Sequence, residues 1–161
     1  MKNYMKLELA ALSENESFAR SAVAAFALCL NPTLSEISDI KTAVSEAVTN
    51  CVVHAYQAGK EGKIVIECEI EKSESMLDEG QGQLHIRITD FGCGIDDIER
   101  ATTPFYTTRE DEERSGMGFT IMLTFMTTFS VESEKGKGTV VSMSKIIGAD
   151  ENTQVRERVN A

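Results

Sequence analysis

Two short segments that alternate apolar and polar residues constrain the fold more than any other feature of this sequence. They read K-I-V-I-E-C-E-I (63–70) and Q-L-H-I-R-I-T-D (83–90). Because successive side chains of a strand point to opposite sides of a sheet, this period of two predicts two strands with one buried face each. The polar segment between them predicts that the two strands form a hairpin.

Helices are predicted to cover the apolar face of that sheet. Apolar residues recur at helical spacing over 19–30, and the pair Asn31 and Pro32 is expected to end this first helix. A second helix is predicted from about 35 to 56, with an apolar stripe along one side. The apolar run at 119–126 predicts a further helix.

More strand patterns complete the predicted sheet. Residues 5–9 alternate, and residues 131–145 are expected to form a closing hairpin that turns at 136–138. Helices gathered beside a mostly antiparallel sheet predict an α+β two-layer sandwich. We expect one domain over residues 1–148, followed by a polar, disordered tail over 149–161.

Composition limits the classes of partner and the compartment. The chain has 161 residues, a formal net charge of −10 and four cysteines. This negative net charge argues against nucleic acid or an anionic membrane as the main partner, because both attract clustered Lys and Arg. The cysteines show no C-x-x-C spacing, no leader opens the chain, and the longest apolar stretch is too short to span a membrane. We therefore expect a reduced, cytoplasmic protein.

Glu46 and Asn50 form the first candidate site motif, E-A-V-T-N (46–50). They lie four residues apart on the second predicted helix, so their side chains share one face. An amide oxygen suits Mg²⁺, which takes few protein ligands beside phosphate oxygens, and Asn50 is predicted to be that ligand. Glu46 is predicted to be the catalytic base that accepts a proton from an attacking hydroxyl. The alternative is a solvated helix edge, because this spacing is common by chance.

Asp90 opens the second motif, D-F-G-C-G (90–94), directly after a predicted strand. Gly92 and Gly94 permit a tight turn and a close approach of the backbone to a ligand. A buried carboxylate here can accept a hydrogen bond from the exocyclic amine of adenine, which guanine cannot donate because it carries a carbonyl there. The alternative is an Asp-Gly turn without a ligand.

The third motif, S-G-M-G (115–118), precedes the helical run at 119–126. Glycines at a helix start leave backbone N–H groups free to face an anion, so this segment is predicted to bind phosphates without a Walker lysine. An ordinary capped loop is the alternative. The residues assigned to it are Ser115, Gly116, Met117 and Gly118.

Four further residues are candidates to contact the nucleotide. Thr107, Thr108 and Arg109 lie in a polar loop, where their hydroxyls and guanidinium can close over phosphates. Thr139 opens the last predicted strand, where its side chain can donate to a ligand. Together with the three motifs, these residues predict a site for ATP and Mg²⁺. Each of the four has a plainer alternative, as a surface loop or as a good strand residue.

In this order and spacing, the motifs resemble those of the GHKL ATPase superfamily, which includes gyrase, histidine kinases and MutL. The resemblance extends from about residue 5 to 147 and implies a Bergerat-type fold, a mixed, mostly antiparallel sheet with helices on one face. The segments T-P-F-Y-T-T-R (103–109) and E-R-S-G-M-G-F (113–119) are most similar to the switch kinases, small serine kinases that regulate sigma factors. The resemblance implies the roles given above, with Thr139 helping to fix the adenine end.

That resemblance also implies a function and partners. It implies a homodimer that binds a sporulation sigma factor, withholds it from RNA polymerase, and uses Mg-ATP to phosphorylate a serine of an anti-anti-sigma protein. Two alternatives stay open at this point. One is a related switch kinase for a stress sigma factor, and the other is an adaptor that senses ATP without transferring phosphate.

Overall fold

A five-stranded sheet forms one layer of the protein in the computed structural model, which describes residues 2–56, 60–72, 82–103 and 117–148. The strand order is β1-β2-β3-β5-β4, and every neighbouring pair among these strands is antiparallel. The elements in chain order are β1 (Lys2–Ala10), α1 (Glu14–Ala27), α2 (Leu34–Asn50), β2 (Lys63–Lys72), β3 (Gly82–Asp90), α3 (Ile98–Ala101), α4 (Gly118–Phe125), β4 (Thr128–Glu134) and β5 (Gly138–Ile147). The predicted, mostly antiparallel sheet is confirmed.

The two alternating segments form β2 and β3, and they pair as predicted, with Ile66 opposite Ile88. Their even-numbered residues are buried and their odd-numbered residues are largely charged or polar. The buried side faces α1, α2 and α4, whose apolar residues join the strands in one core. The two-layer α+β prediction is therefore confirmed. In energetic terms, each buried aliphatic side chain in this layer stabilises the fold by roughly 1.5–3 kcal/mol.

Local signals explain where the first two helices begin and end. α1 continues into a 3₁₀ turn at Leu28–Leu30, and Asn31 then adopts a left-handed backbone with φ of 50° before Pro32. α2 starts with a capping box, in which the Thr33 hydroxyl accepts from the Glu36 N–H and the Glu36 carboxylate accepts from the Thr33 N–H. This reciprocal pair satisfies N–H groups that the first turn leaves without a helical partner.

The sequence predicted that the second helix continues to about residue 56, but the regular α-helix ends at Asn50. It changes at Asn50 into a π-helical turn, Cys51–Ala55, and the chain leaves it at Tyr56. Such π turns inside helices are rare and often occur at functional sites.

The predicted tail, 149–161, lies outside the described residues. In the described part of the chain, no helix has the length and apolar character that crossing a membrane requires.

Candidate nucleotide-binding site

The structure brings Glu46 and Asn50 of α2 against the first residue of α4. A methyl group built on Gly118 would lie 3.1 Å from Glu46 Oε2 and 3.3 Å from Asn50 Nδ2. Both side chains are half-buried at this contact. Motifs separated by about 70 residues in sequence therefore meet, as the resemblance implied, and glycine at position 118 permits the close approach.

The N-terminus of α4 presents backbone N–H groups at this contact. Met117 stands at the N-cap position, and no side chain of the described residues caps the helix there. The first regular bond of this helix runs from the Ile121 N–H to the Met117 carbonyl. The earlier N–H groups lack helical acceptors, and together with the helix dipole they favour an anion. This arrangement fits the phosphate-binding role predicted for Met117 and Gly118.

The donor set fits a magnesium ion that is held mainly by phosphate. Across the described ranges, no three His, Cys, Asp or Glu side chains gather into a metal site. Asn50 provides a single amide oxygen beside Gly118. Mg²⁺ commonly keeps several waters and uses one or two protein ligands with substrate phosphates, so one amide beside a helix start that favours an anion fits such a site.

Asp90 forms the other end of the candidate site, at the last position of β3. Its side chain is buried, and its Oδ1 accepts hydrogen bonds from the backbone N–H groups of Gly92 (3.0 Å) and Thr139 (3.2 Å). Burial raises the pKa of this carboxyl above its ordinary value, while the two N–H groups act in the opposite direction. Because Oδ1 already accepts from two backbone donors, the oxygen that can accept a hydrogen bond from a ligand is Oδ2.

Cys51 approaches Asp90 from the helix layer. This residue is buried directly after Asn50, and its thiol lies close enough to the Asp90 carboxyl to interact with its charge. Burial, followed by the nearby Asp90 charge, raises the pKa of the Cys51 thiol far above its ordinary range. The thiol therefore stays protonated. Asn50 and Cys51, neighbours in sequence, thus lie at the two ends of the candidate site.

Two glycines permit close backbone packing around Asp90. A methyl group on Gly92 would lie 2.0 Å from the Ala55 carbonyl oxygen, and one on Gly138 would lie 2.1 Å from the Asp90 carbonyl oxygen. Gly138 also has φ of 111°, a conformation that other residues rarely adopt. The Cys93 N–H then bonds to the Ala55 carbonyl at 2.7 Å. These glycines hold the D-F-G-C-G loop against the π turn and β5, in addition to any approach to a ligand.

Sequence reasoning missed three side chains that organise this region. Cys51 was assigned no role in the site from the sequence. Tyr56 accepts from the Phe91 N–H at 2.9 Å and donates to the Lys63 carbonyl. Ser133 accepts from the Ile95 N–H and bonds to the Thr139 hydroxyl. The position of Cys51 next to Asn50 was a signal that could have been used, whereas the contacts of Tyr56 and Ser133 depend on tertiary packing.

The predicted site residues fall into two groups and a remainder. Glu46, Asn50, Met117 and Gly118 lie at the α2–α4 contact, and Asp90, Gly92 and Thr139 lie together at the strand ends. Gly94 packs its backbone against the carbonyl of Glu134. The others lie outside the described residues: Thr107, Thr108, Arg109, Ser115 and Gly116.

Comparison with known proteins identifies the fold family. The sequence model of the histidine kinase-like ATPase domain matches residues 9–145. The chain belongs to this family. Because the family is a GHKL-type ATPase domain, the resemblance drawn from the motifs is confirmed. Membership of an ATPase family also implies that the chain binds ATP, which agrees with the phosphate role predicted for the start of α4 and with the buried carboxylate of Asp90.

Named relatives of this histidine kinase-like ATPase domain cover almost the whole chain. The anti-sigma F factor of Thermoanaerobacter sp. strain X514 is 53% identical over 148 residues, covering 92% of this chain and 96% of that protein. The anti-sigma F factor of Caldanaerobacter subterraneus subsp. tengcongensis is 54% identical over 146 residues, with coverages of 91% and 95%. That of Clostridium botulinum strain Eklund 17B is 54% identical over 144 residues, with coverages of 89% and 94%.

Among solved structures, the histidine kinase domain of the blue-light activated histidine kinase from Erythrobacter litoralis EL346 aligns with a TM-score of 0.49 and 18% sequence identity. The alignment covers 88% of this chain and 64% of that chain.

Proposed function

We infer that this protein is a cytoplasmic anti-sigma factor and a protein serine kinase. As a homodimer, it binds a sporulation sigma factor, keeps it from RNA polymerase, and uses Mg-ATP to phosphorylate a serine of an anti-anti-sigma protein. The relatives named anti-sigma F factor support this proposal, because more than half of their residues are identical over about nine-tenths of each chain. The observation that carries the chemistry is the convergence of Glu46, Asn50 and Gly118.

At the phosphate end, the chain binds and orients the reacting groups. The N–H groups that open α4 bind the phosphate oxygens, and the Asn50 amide oxygen holds the metal beside them. Bound Mg²⁺ neutralises phosphate charge. Glu46 accepts the proton of the incoming serine hydroxyl, since its carboxylate lies at the same helix start. Positioning and electrostatics are the main requirements of phosphoryl transfer, and this contact supplies both.

At the base end, Asp90 selects adenine. Backbone N–H groups from Gly92 and Thr139 fix the orientation of the carboxylate by binding one oxygen, Oδ1. The carboxylate then accepts from the exocyclic amine of adenine. Guanine has a carbonyl at that position, which would face the carboxylate without a proton to share, so discrimination against GTP follows from the same contact.

Intact mass spectrometry of the substrate tests this proposal. The chain is incubated with Mg-ATP and the anti-anti-sigma protein of the same organism, beside Glu46→Gln, Asn50→Ala and the control Glu132→Gln. The wild type and Glu132→Gln, whose change lies on the exposed side of β4, should add one phosphate to the substrate. Glu46→Gln should bind ATP but transfer about a hundredfold or more slowly, as loss of a general base predicts. Asn50→Ala should lose Mg-ATP binding.

Other outcomes would redirect the proposal. Saturable ATP binding with no phosphate transferred by the wild type would favour the ATP-sensing adaptor and remove Glu46 from the chemistry. Transfer to the antagonist partner of a stress sigma factor, with none to the sporulation partner, would favour the related switch kinase. Undiminished Mg-ATP binding in Asn50→Ala would refute the metal-ligand assignment.

A further inference from the structure

A buried lysine in β5 lies outside the candidate site but connects to it through a helix. The side chain of Lys145 is 4% exposed and points into the layer between sheet and helices. Its neighbour across the sheet is Leu84, a core residue of β3. Lysine is almost never buried to this extent without a partner, because removing an ammonium group from water is costly. Its contacts therefore have to offset that cost.

Two helices provide those contacts. The Lys145 ammonium donates to Asp39 Oδ2 of α2 at 2.8 Å and to the carbonyl oxygen of Phe125 at 2.7 Å. Phe125 is the last residue of α4, where carbonyl groups lack helical donors and the helix dipole is negative. One ammonium thus connects β5, α2 and the C-terminal end of α4.

The opposite end of α4 is the phosphate-binding contact. Asp39 precedes Glu46 by seven residues on α2, and Gly118 precedes Phe125 by seven residues on α4. Each step is about 10.5 Å at a helical rise of 1.5 Å per residue. The two helices therefore run antiparallel, and the two contacts between them are separated by the same length of helix on each. Lys145 joins the helices at one contact, and Gly118 lies against Glu46 at the other.

We propose that Lys145 is a positioning residue that fixes the register of α4 along α2 and so sets where the first N–H groups of α4 meet the phosphates. This inference rests on the proposed nucleotide site. The adenine end is built differently, because the N–H groups that orient Asp90 come from Gly92 and Thr139 and not from α4. Lys145 therefore controls the part of the affinity that depends on phosphate, and leaves the part that depends on adenosine unchanged.

Calorimetric titration separates these two parts of the affinity. Adenosine and Mg-ATP are each titrated into the wild type, Lys145→Met and Val23→Ala. The Val23→Ala control removes buried volume from α1, which packs on α2 and β1, and so lowers stability without removing a bond to α4. In Lys145→Met, the ratio of Mg-ATP affinity to adenosine affinity should fall by about tenfold, the value of one lost charge-assisted hydrogen bond. The adenosine affinity itself should stay constant, and Val23→Ala should keep the wild-type ratio.

The outcomes that oppose the inference are distinct from those that oppose the proposed function. An unchanged ratio in folded Lys145→Met, or an equal fall in Val23→Ala, would overturn the positioning role. If Lys145→Met fails to fold, Asp39→Asn replaces it, since the amide oxygen still accepts from the ammonium but without charge. A smaller fall in the same ratio then supports the inference, and no fall overturns it. A wild type that binds adenosine and Mg-ATP equally would overturn the proposed phosphate site.

Discussion

Replacing Gly118 by alanine should separate the stability of the protein from its activity. Gly118 is helical and has no positive φ, so alanine can adopt its backbone conformation. Alanine is a better helix former than glycine, by up to about 1 kcal/mol, because it loses less backbone entropy on folding. The free energy of unfolding of Gly118→Ala should therefore be unchanged or slightly higher than that of the wild type.

The added methyl group should nevertheless disturb the reacting groups. It would lie 3.1 Å from Glu46 Oε2, whereas ordinary contacts of a methyl carbon begin at about 3.4 Å. The carboxylate, or the helix start itself, must then move by about 0.3 Å. If a displacement of 1 Å costs about a hundredfold in rate, this shift should slow phosphoryl transfer about fourfold, or ~0.8 kcal/mol of activation free energy.

Gly136→Ala is the matched control. Gly136 lies in the turn between β4 and β5 with φ of 79°, and a methyl group there would meet no atom within 4 Å. Alanine at this left-handed position should cost about 1 kcal/mol of stability and leave transfer unchanged. Urea unfolding measures the first quantity and the initial rate of substrate phosphorylation measures the second. Equal transfer rates in Gly118→Ala and the wild type would refute the close approach of α4 to Glu46. A loss of stability in Gly118→Ala with no loss in Gly136→Ala would refute the argument that alanine fits the helical backbone at 118 and strains the left-handed backbone at 136.

Two further predictions concern the Asp90 carboxyl and the four cysteine thiols. Because burial raises the pKa of Asp90, its carboxylate should take up a proton at a higher pH than an ordinary aspartate does. Adenosine affinity should therefore fall on acidification in the wild type before an ordinary aspartate would protonate, while Asp90→Asn should bind weakly with little change over the same range, as titration calorimetry can show. Ellman's reagent should label Cys29 and Cys93 quickly in the folded protein, and Cys51 and Cys68 only after unfolding, because the first two thiols are exposed and the other two are buried. Burial raises the pKa of the Cys68 thiol to about 12, so fast labelling of four thiols in the folded protein would contradict the described core.

Periodicity in the sequence was enough to predict the five strands, the three longer helices and the two layers, although not the π turn. The alternation at 63–70 and 83–90 determines which side chains are buried, and that pattern holds for Ile66 and Ile88 in the sheet. The pair Asn31 and Pro32 ends the first helical segment as predicted, and the structure adds that Asn31 adopts a left-handed conformation before the proline. These features depend on local chemistry, so the sequence carries them in adjacent residues.

Contacts between distant backbones were beyond sequence reasoning. The alternation of β5 places Lys145 on the buried face with Met143 and Ile147, but it does not reveal that Asp39 and the carbonyl of Phe125 lie beside the ammonium and offset the cost of its burial. The glycine of D-F-G was expected to approach a ligand, and its nearest neighbour in the fold is the carbonyl of Ala55. Both outcomes depend on where a second element passes, which no spacing within one segment determines.

The end of α2 and the π turn that follows it lie against both ends of the candidate nucleotide site. Consecutive helical side chains differ in direction by about 100°, so Asn50 can face the start of α4 while Cys51 faces Asp90. The π turn then brings the Ala55 carbonyl to the Cys93 N–H, which fixes the loop that follows Asp90. The proposed phosphate end and the proposed adenine end therefore both lie against residues 50 to 55 of a single chain segment.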